Sequence, residues 1–232
     1  MIDYVGWRSM TTPASPAQMR AEYERGGLAE ADLAGDWLTQ FERWFADVIA
    51  AHLPEPNAMI VATADEHGRP SARTVLLKMV DARGFAFFTN YESRKATELT
   101  ANPYASLVFP WFPIGRQVVV CGRVTRVDRA ESEAYFATRP RPSQLGAWAS
   151  PQSRVVADRA ALDAVLAEVE ARFAEVDEPL PTPPHWGGLR VEPDTVEFWQ
   201  GRRGRLHDRL RFRDTGDAGG AGERWIVERV AP

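Results

Sequence analysis

The sequence predicts an α+β fold built mainly of β-structure, an antiparallel barrel or curled sheet covered by a few peripheral helices. Three observations carry this. Short runs of apolar, β-branched and aromatic residues recur at hairpin spacing between turn-rich links. The runs between residues 57 and 89 follow one another with no room for the crossover helices that a parallel sheet requires. Only a few helical patterns interrupt them.

Taken in order, residues 1–18 read as a flexible arm whose turn-rich end is "TTPASP". "AQMRAEYERGGL" predicts a short helix stopped by Gly26 and Gly27. The clearest helix follows. Trp37, Leu38, Phe41, Trp44, Phe45, Val48 and Ile49 share one face at helical spacing, Asp36 caps the start and Pro54 closes the end. "AMIVATA" and "ARTVLLKM" flank the turn "DEHGRP" and predict a hairpin, and "GFAFFT" continues the strands. "SRKATELTANP" predicts a helix with Ser93 as its cap, Ala96 and Leu99 inward, and Asn102-Pro103 as its stop.

"ASLVFPWF" and "RQVVVCGRVTRV" resume the strands, with Gly122 marking a bulge or a close backbone approach. Cys121, in mid-strand, reads as buried packing. Helical patterns return at "ESEAYFATR" and at Leu162, Val165, Leu166, Val169 and Phe173 behind a cap at Asp158. "DEPLPTPPHWGG" reads as a Pro-rich loop, and three strands close the chain: "TVEFWQ", "RLHDRLRF" and "RWIVERV". The insert "DTGDAGGAGE" between the last two reads as a mobile hairpin tip.

Composition narrows the function. The chain has 232 residues, 44% apolar and 26% charged, with a net charge of −4. That balance argues against a general nucleic-acid or membrane-surface binder, so any anion site must be local. One cysteine excludes an intramolecular disulfide and fits a reducing cytoplasm. No apolar run approaches the ~20 residues that span a bilayer, and "MIDYVGWRSM" shows no secretory pattern. His52, His67, His185 and His207 are scattered, so no metal site is expected. No P-loop, dinucleotide fingerprint or nucleophile elbow occurs, so a cofactor is expected to carry any chemistry.

Four basic clusters remain. "ARTVLLK" places Arg73 and Lys78 in an apolar strand, where solvated faces are the plain reading. "TNYESRKA" places Ser93, Arg94 and Lys95 at a helix N-terminus, where cations oppose the dipole unless an anion compensates. "YFATRPRPSQLGAW" offers Tyr135, Arg139 and Ser143 on what reads equally well as a rigid surface loop. In "FWQGRRGRLHDRL", a strand would set Arg205, His207 and Arg209 on one face and Leu206, Asp208 and Leu210 on the other. Trp199 there either packs in the core or lies against a planar ring. Together the clusters supply enough donors for two phosphates with aromatics nearby, which points to small phosphorylated aromatic ligands.

At these same residues the sequence resembles the pyridoxine/pyridoxamine 5′-phosphate oxidase family. The resemblance runs from "MRAEYERGGL" to "RVAP" through "RTVLLK", "FFTNYESRKA", "YFATRPRPSQLGAWAS", "HWGGLRV", "EFWQG" and "RLHDR". It implies a split β-barrel over residues 19–232, including a C-terminal segment for dimerisation and substrate, in a homodimer with FMN at the subunit interface. The implied FMN site comprises Arg73, Thr74, Val75, Leu76, Leu77 and Lys78, then Phe88, Thr89, Arg94, Lys95, Gln117, Gln152, Ser153, Trp199 and Arg209. Arg73, Arg94 and Lys95 would take the FMN phosphate. Lys78, Tyr135, Arg139 and Ser143 would hold the substrate phosphate, Arg205 and His207 would act at its pyridine end, and Arg20 and Tyr23 would fold over it. Phe88 departs from the family, which often has Tyr there.

The implied reaction converts pyridoxamine or pyridoxine 5′-phosphate to pyridoxal 5′-phosphate with O2 reduced to H2O2. The alternatives are another split-barrel flavin or deazaflavin enzyme, a carrier that only binds flavin or pyridoxal phosphate, and a nucleic-acid binder using the Arg-rich tail. Arg73 and Lys78 are five residues apart, so an ideal strand would put them on opposite faces. Either the strand is irregular or the two serve separate phosphates.

Overall fold

A computed structural model describes Tyr23 and residues 26–177, 179–216 and 224–232. The arm 1–18, most of the short helix expected after it, Arg20 and most of the insert tip lie outside the described residues.

Nine antiparallel strands form one curled sheet: β1 (Ala58–Ala64), β2 (Pro70–Leu76), β3 (Met79–Asp81), β4 (Gly84–Asn90), β5 (Tyr104–Phe109), β6 (Arg116–Arg126), β7 (Trp186–Gln200), β8 (Asp208–Asp214) and β9 (Trp225–Arg229). The order is β2-β1-β5-β6-β7-β4-β3, with β8 also on β7 and β9 on β8. The long strand β7 makes the sheet branch. Its first half pairs with β4, its second half pairs with β8, and β6 runs along its other edge. This is the split β-barrel expected.

The division falls at a bulge. Cys121 pairs with Thr195 and Gly122 with Pro193, which leaves Asp194 unmatched. A Cβ on Gly122 would sit 1.9 Å from the Glu192 carbonyl oxygen, so only glycine permits this approach. Pro193 is tolerated because the ladder is already interrupted there.

Helix α1 (Trp37–Ala50) forms as its spacing predicts, and the Asp36 carboxylate accepts a hydrogen bond from the Thr39 amide at 2.8 Å. Trp37, Phe41, Trp44 and Val48 are buried against Phe85, Phe109 and Phe198 of the sheet. The inner face is rotated from the expected one. Ile49 is exposed, while Gln40 is buried because its Oε1 accepts from the Ala34 amide. The helix ends ahead of Pro54, where His52 takes a left-handed conformation.

Helix α2 (Arg94–Ala101) also forms, although the Ser93 side chain makes no capping bond. Helices α3 (Arg129–Ala137), α4 (Arg141–Ala149) and α5 (Arg159–Arg172) gather around a second, smaller core of Phe136, Leu145, Phe173, Leu180 and Trp186. α5 starts at its Asp158 cap but buries none of its own residues.

Three expectations are corrected. The stretch read as a rigid loop is helix α4, since Pro142 sits in the first turn, where no amide donor is needed. β7 begins nine residues before "TVEFWQ". Cys121 is exposed, because β6 buries Val118, Val120, Gly122 and Val124 and turns the alternate residues outward.

Candidate functional site

A cavity of about 590 Å³ opens between β2, the end of β4, the start of α2 and the second core. Its walls bring together Arg73, Thr74, Val75, Leu76 and Lys78 with Phe88, Thr89, Arg94 and Lys95. Tyr135, Arg139, Gln152, Ser153 and Trp186 complete it with Ser71 and Ala72. Five cations line this space and no carboxylate does.

The Arg73–Lys78 question resolves locally. β2 ends at Leu76, and Leu77 turns into the core with its amide on the Asn57 carbonyl. Lys78 then bonds through its own amide to the Ala86 carbonyl on β4. The break in the strand lets both cations face one cavity, and it takes Leu77 out of the lining.

The first turn of α2 is only partly solvated, as Ser93 and Lys95 are buried while the Arg94 side chain is exposed. The Lys95 ammonium donates to Thr89 Oγ1 at 3.0 Å and lies 3.4 Å from Gln152 Oε1, with no carboxylate partner among the described residues. Burial, reinforced by nearby Arg73, pushes its pKa down to about 8. Arg139 stands over the Trp186 ring at 4.8 Å, its buried Nη1 has no hydrogen-bond partner, and burial lowers its pKa. Uncompensated buried cations are costly unless an anion joins them.

Arg73 and Arg94 are treated differently. The buried Glu98 carboxylate accepts from Arg94 Nε at 2.8 Å, from Ser71 Oγ at 2.6 Å and from Thr63 Oγ1, and lies 3.4 Å from Arg73 Nη2. Burial acts to raise the Glu98 pKa, but the Ser71, Thr63 and Arg94 bonds outweigh it and hold it at about 2. Arg73 also donates to Thr63 Oγ1 at 2.5 Å and to Ser71 Oγ. Glu98 thus aims two guanidinium groups at the cavity rim. On the opposite wall the rings of Phe88, Tyr135 and Trp186 lie nearly parallel in a three-way cluster, with Phe88 4.1 Å from Tyr135 and 5.2 Å from Trp186.

A second cavity, about 600 Å³, lies where β6, β7 and β8 meet the C-terminus. It is lined by Gln117, Val119, Glu197, Trp199, Arg205, His207, Arg209 and Pro232. The expected strand face is corrected here, for β8 starts only at Asp208. Arg205 sits in a short 3-10 turn at φ 63°, and Leu206 is 74% exposed instead of sharing the face of buried Asp208 and Leu210. Arg205, His207 and Arg209 still meet, but through a turn. The Arg209 guanidinium forms two bonds of 2.9 Å to Glu197. Tyr23 packs edge-on to Trp199 at 5.4 Å and to His207 at 5.7 Å.

No residue lines both cavities. Ser143, in the first turn of α4, lines neither. Several contributors escaped the sequence reading, among them Thr63, Ser71, Trp186 and Glu98. Trp186 had no local signal beyond its place in "HWGG". Glu98 did have one, standing four residues after Arg94 on the same helix. Among the described residues no His, Cys, Asp and Glu group is placed to hold a metal, and no helix is long and apolar enough to cross a membrane.

Comparison with known proteins gives a consistent family. The family model for pyridoxamine 5′-phosphate oxidase matches residues 45–173, and that for the pyridoxine 5′-phosphate oxidase C-terminal dimerisation region matches 186–232. A pyridoxine/pyridoxamine 5′-phosphate oxidase of Salinispora arenicola is 64% identical over 94% of this chain and 96% of its own length. One from Acidothermus cellulolyticus is 62% identical, covering 93% of this chain and 95% of its own. Among solved structures, PhzG from Burkholderia lata with tetrahydrophenazine-1-carboxylic acid has a TM-score of 0.78 at 34% identity. That match covers 87% of this chain and 95% of PhzG.

Proposed function

The chain belongs to the pyridoxamine 5′-phosphate oxidase family, and from that premise we propose that it is an FMN-dependent oxidase of pyridoxamine and pyridoxine 5′-phosphates. Pyridoxamine phosphate, O2 and water give pyridoxal 5′-phosphate, ammonia and H2O2, while pyridoxine phosphate and O2 give the aldehyde and H2O2. One observation carries the reading: a cavity lined by five cations and no carboxylate, with Lys95 and the Arg139 Nη1 atom buried and without an anionic partner among the described residues. That donor set fits two phosphate groups, the demand made by a phosphorylated cofactor beside a phosphorylated substrate.

Arg73, Arg94 and Lys95 hold the cofactor phosphate, with Thr89, Gln152 and Ser153 beside them. Lys78, Tyr135 and Arg139 hold the substrate phosphate, and Ser143 joins them from α4. Bound there, FMN supplies a two-electron acceptor that dioxygen can reoxidise. The protein contributes orientation, since fixed phosphate anchors set the reacting carbon against the cofactor ring. Arg205 and His207 engage the pyridine end, with Trp199, Gln117 and Arg209 toward the cofactor. Because those residues line the other cavity, we place the complete site between two copies of the chain, one copy supplying each half. The matched C-terminal dimerisation region supports this.

The likeness to PhzG favours a second reading, in which a reduced aromatic acid is the substrate. One experiment separates them. The absorption spectrum of the purified protein is taken before and after anaerobic addition of pyridoxamine 5′-phosphate. Bleaching of an oxidised flavin band, followed by peroxide and aldehyde on admission of air, is the expected result. A flavin band untouched by either vitamer phosphate rejects the proposal.

A further inference from the structure

We infer that the neutral His207 ring is a hydrogen-bond donor through Nε2, held in that tautomer by the backbone amide of Arg202. This rests on the preceding reading only in placing a substrate against the ring.

The Arg202 amide donates to His207 Nδ1 at 3.0 Å. A ring nitrogen that accepts a hydrogen bond carries no hydrogen, so a neutral imidazole bonded this way bears its hydrogen on Nε2. Protonating Nδ1 would set two donors against each other. The turn from Arg202 to His207 exists to make this contact. Gly204 and Arg205 take successive left-handed conformations, φ 67° and 63°, which fold the chain back far enough for the amide to meet the ring. For a residue with a Cβ, Arg205 pays a conformational cost there that the surroundings must offset. The ring is wedged by Trp199, 4.7 Å away at 49°, and by Tyr23, edge-on at 87°.

Among the described residues, no side-chain carboxylate around His207 is left unpaired. Arg202 and Arg205, from its own turn, carry side chains that only donate. From β7, Glu197 is held by both guanidinium bonds of Arg209 on β8. Tyr23 presents its ring. A face made of the Arg205 guanidinium and an Nε2–H suits an electron-rich ligand atom, such as a ring phenolate oxygen or a pyridine nitrogen. It polarises the ligand rather than deprotonating it.

The test is a long-range 1H–15N spectrum of the holoenzyme with its four histidines labelled, His207 being assigned by the signal missing in H207Q. Expected for the neutral ring is a pyridine-type Nδ1 and a hydrogen-bearing Nε2, with and without pyridoxamine phosphate. The reversed tautomer overturns the inference. Variants give a second readout. H207Q keeps an N–H near the Nε2 position, whereas H207N keeps only an acceptor at Nδ1. With flavin retained in both, kcat should fall no more than about ten-fold in H207Q and about a hundred-fold in H207N, the range of one hydrogen bond to a charged partner. Equal losses, or the reverse order, overturn it too. The tautomer is read without substrate, so a wild-type enzyme inert toward pyridoxamine phosphate would sink the functional reading and not this one.

Discussion

The cavity beside α2 and the C-terminal strands are both rich in arginine, yet they meet that charge in opposite ways. Along the C-terminal strands nearly every cation has an acid in reach. Arg209 pairs with Glu197, Arg211 and Arg213 with Glu228, Arg224 with Asp214, and Arg229 with Glu30 and Asp208. Arg202, although exposed, bonds Asp208 at 3.0 Å. In the α2 cavity a single carboxylate, Glu98, stands behind Arg73 and Arg94, and Lys95 and Arg139 have none. Density of positive charge therefore says little about where an anion binds. What marks the site is positive charge that the protein desolvates without neutralising.

Lys95→Met should break the comparison most sharply. Removing the buried ammonium should weaken flavin binding by about 2–5 kcal/mol, followed by flavin fluorescence titration. The ligand-free protein should meanwhile be as stable as wild type or more so in urea, because a buried charge without a partner is gone. An unchanged flavin affinity would mean that Lys95 is balanced by something else.

Glu98→Gln comes next. If the carboxylate serves to aim Arg73 and Arg94, flavin binding weakens by about 1–3 kcal/mol. If it merely opposes the phosphate charge, binding tightens instead, and the direction decides between the two.

A pH series tests the same lysine by another route. Its folded-state pKa of about 8 lies below the ordinary 10.5, so the free protein loses this charge as pH rises through about 8. Flavin affinity should fall across that range, with proton uptake on binding in calorimetry. Stability of the ligand-free protein should gain from this site between about 8 and 10.5, where the unfolded chain holds the extra proton. Lys95→Met should lose both dependences.

The smallest effect belongs to the neutralised region. Arg211→Ala should leave flavin affinity unchanged and the melting temperature nearly so, since Arg211 and Glu228 form a partly exposed pair. A large loss of flavin there would erase the distinction between the two regions.

Much of the fold was legible in local pattern. β1 coincides with "AMIVATA", α1 and α5 start at the caps read from Asp36 and Asp158, and the bulge sits at Gly122. Local rules failed where a residue's state depends on distant partners. The glycines and Pro193 in "WGGLRVEP" look like loop, yet β7 carries them because β4 and β6 pair along both sides. "RLHDR" alternates like a strand but turns before pairing begins.

The site divides in the same way. Residue types and their order along the chain were enough to indicate two phosphates and to carry the family resemblance. Which cations stay unneutralised was decided in three dimensions. Glu98 reaches Ser71 and Thr63 across 27 and 35 residues, while no acid reaches Lys95. Charge balance is a property of what surrounds a group within a few ångströms, and sequence distance does not measure that.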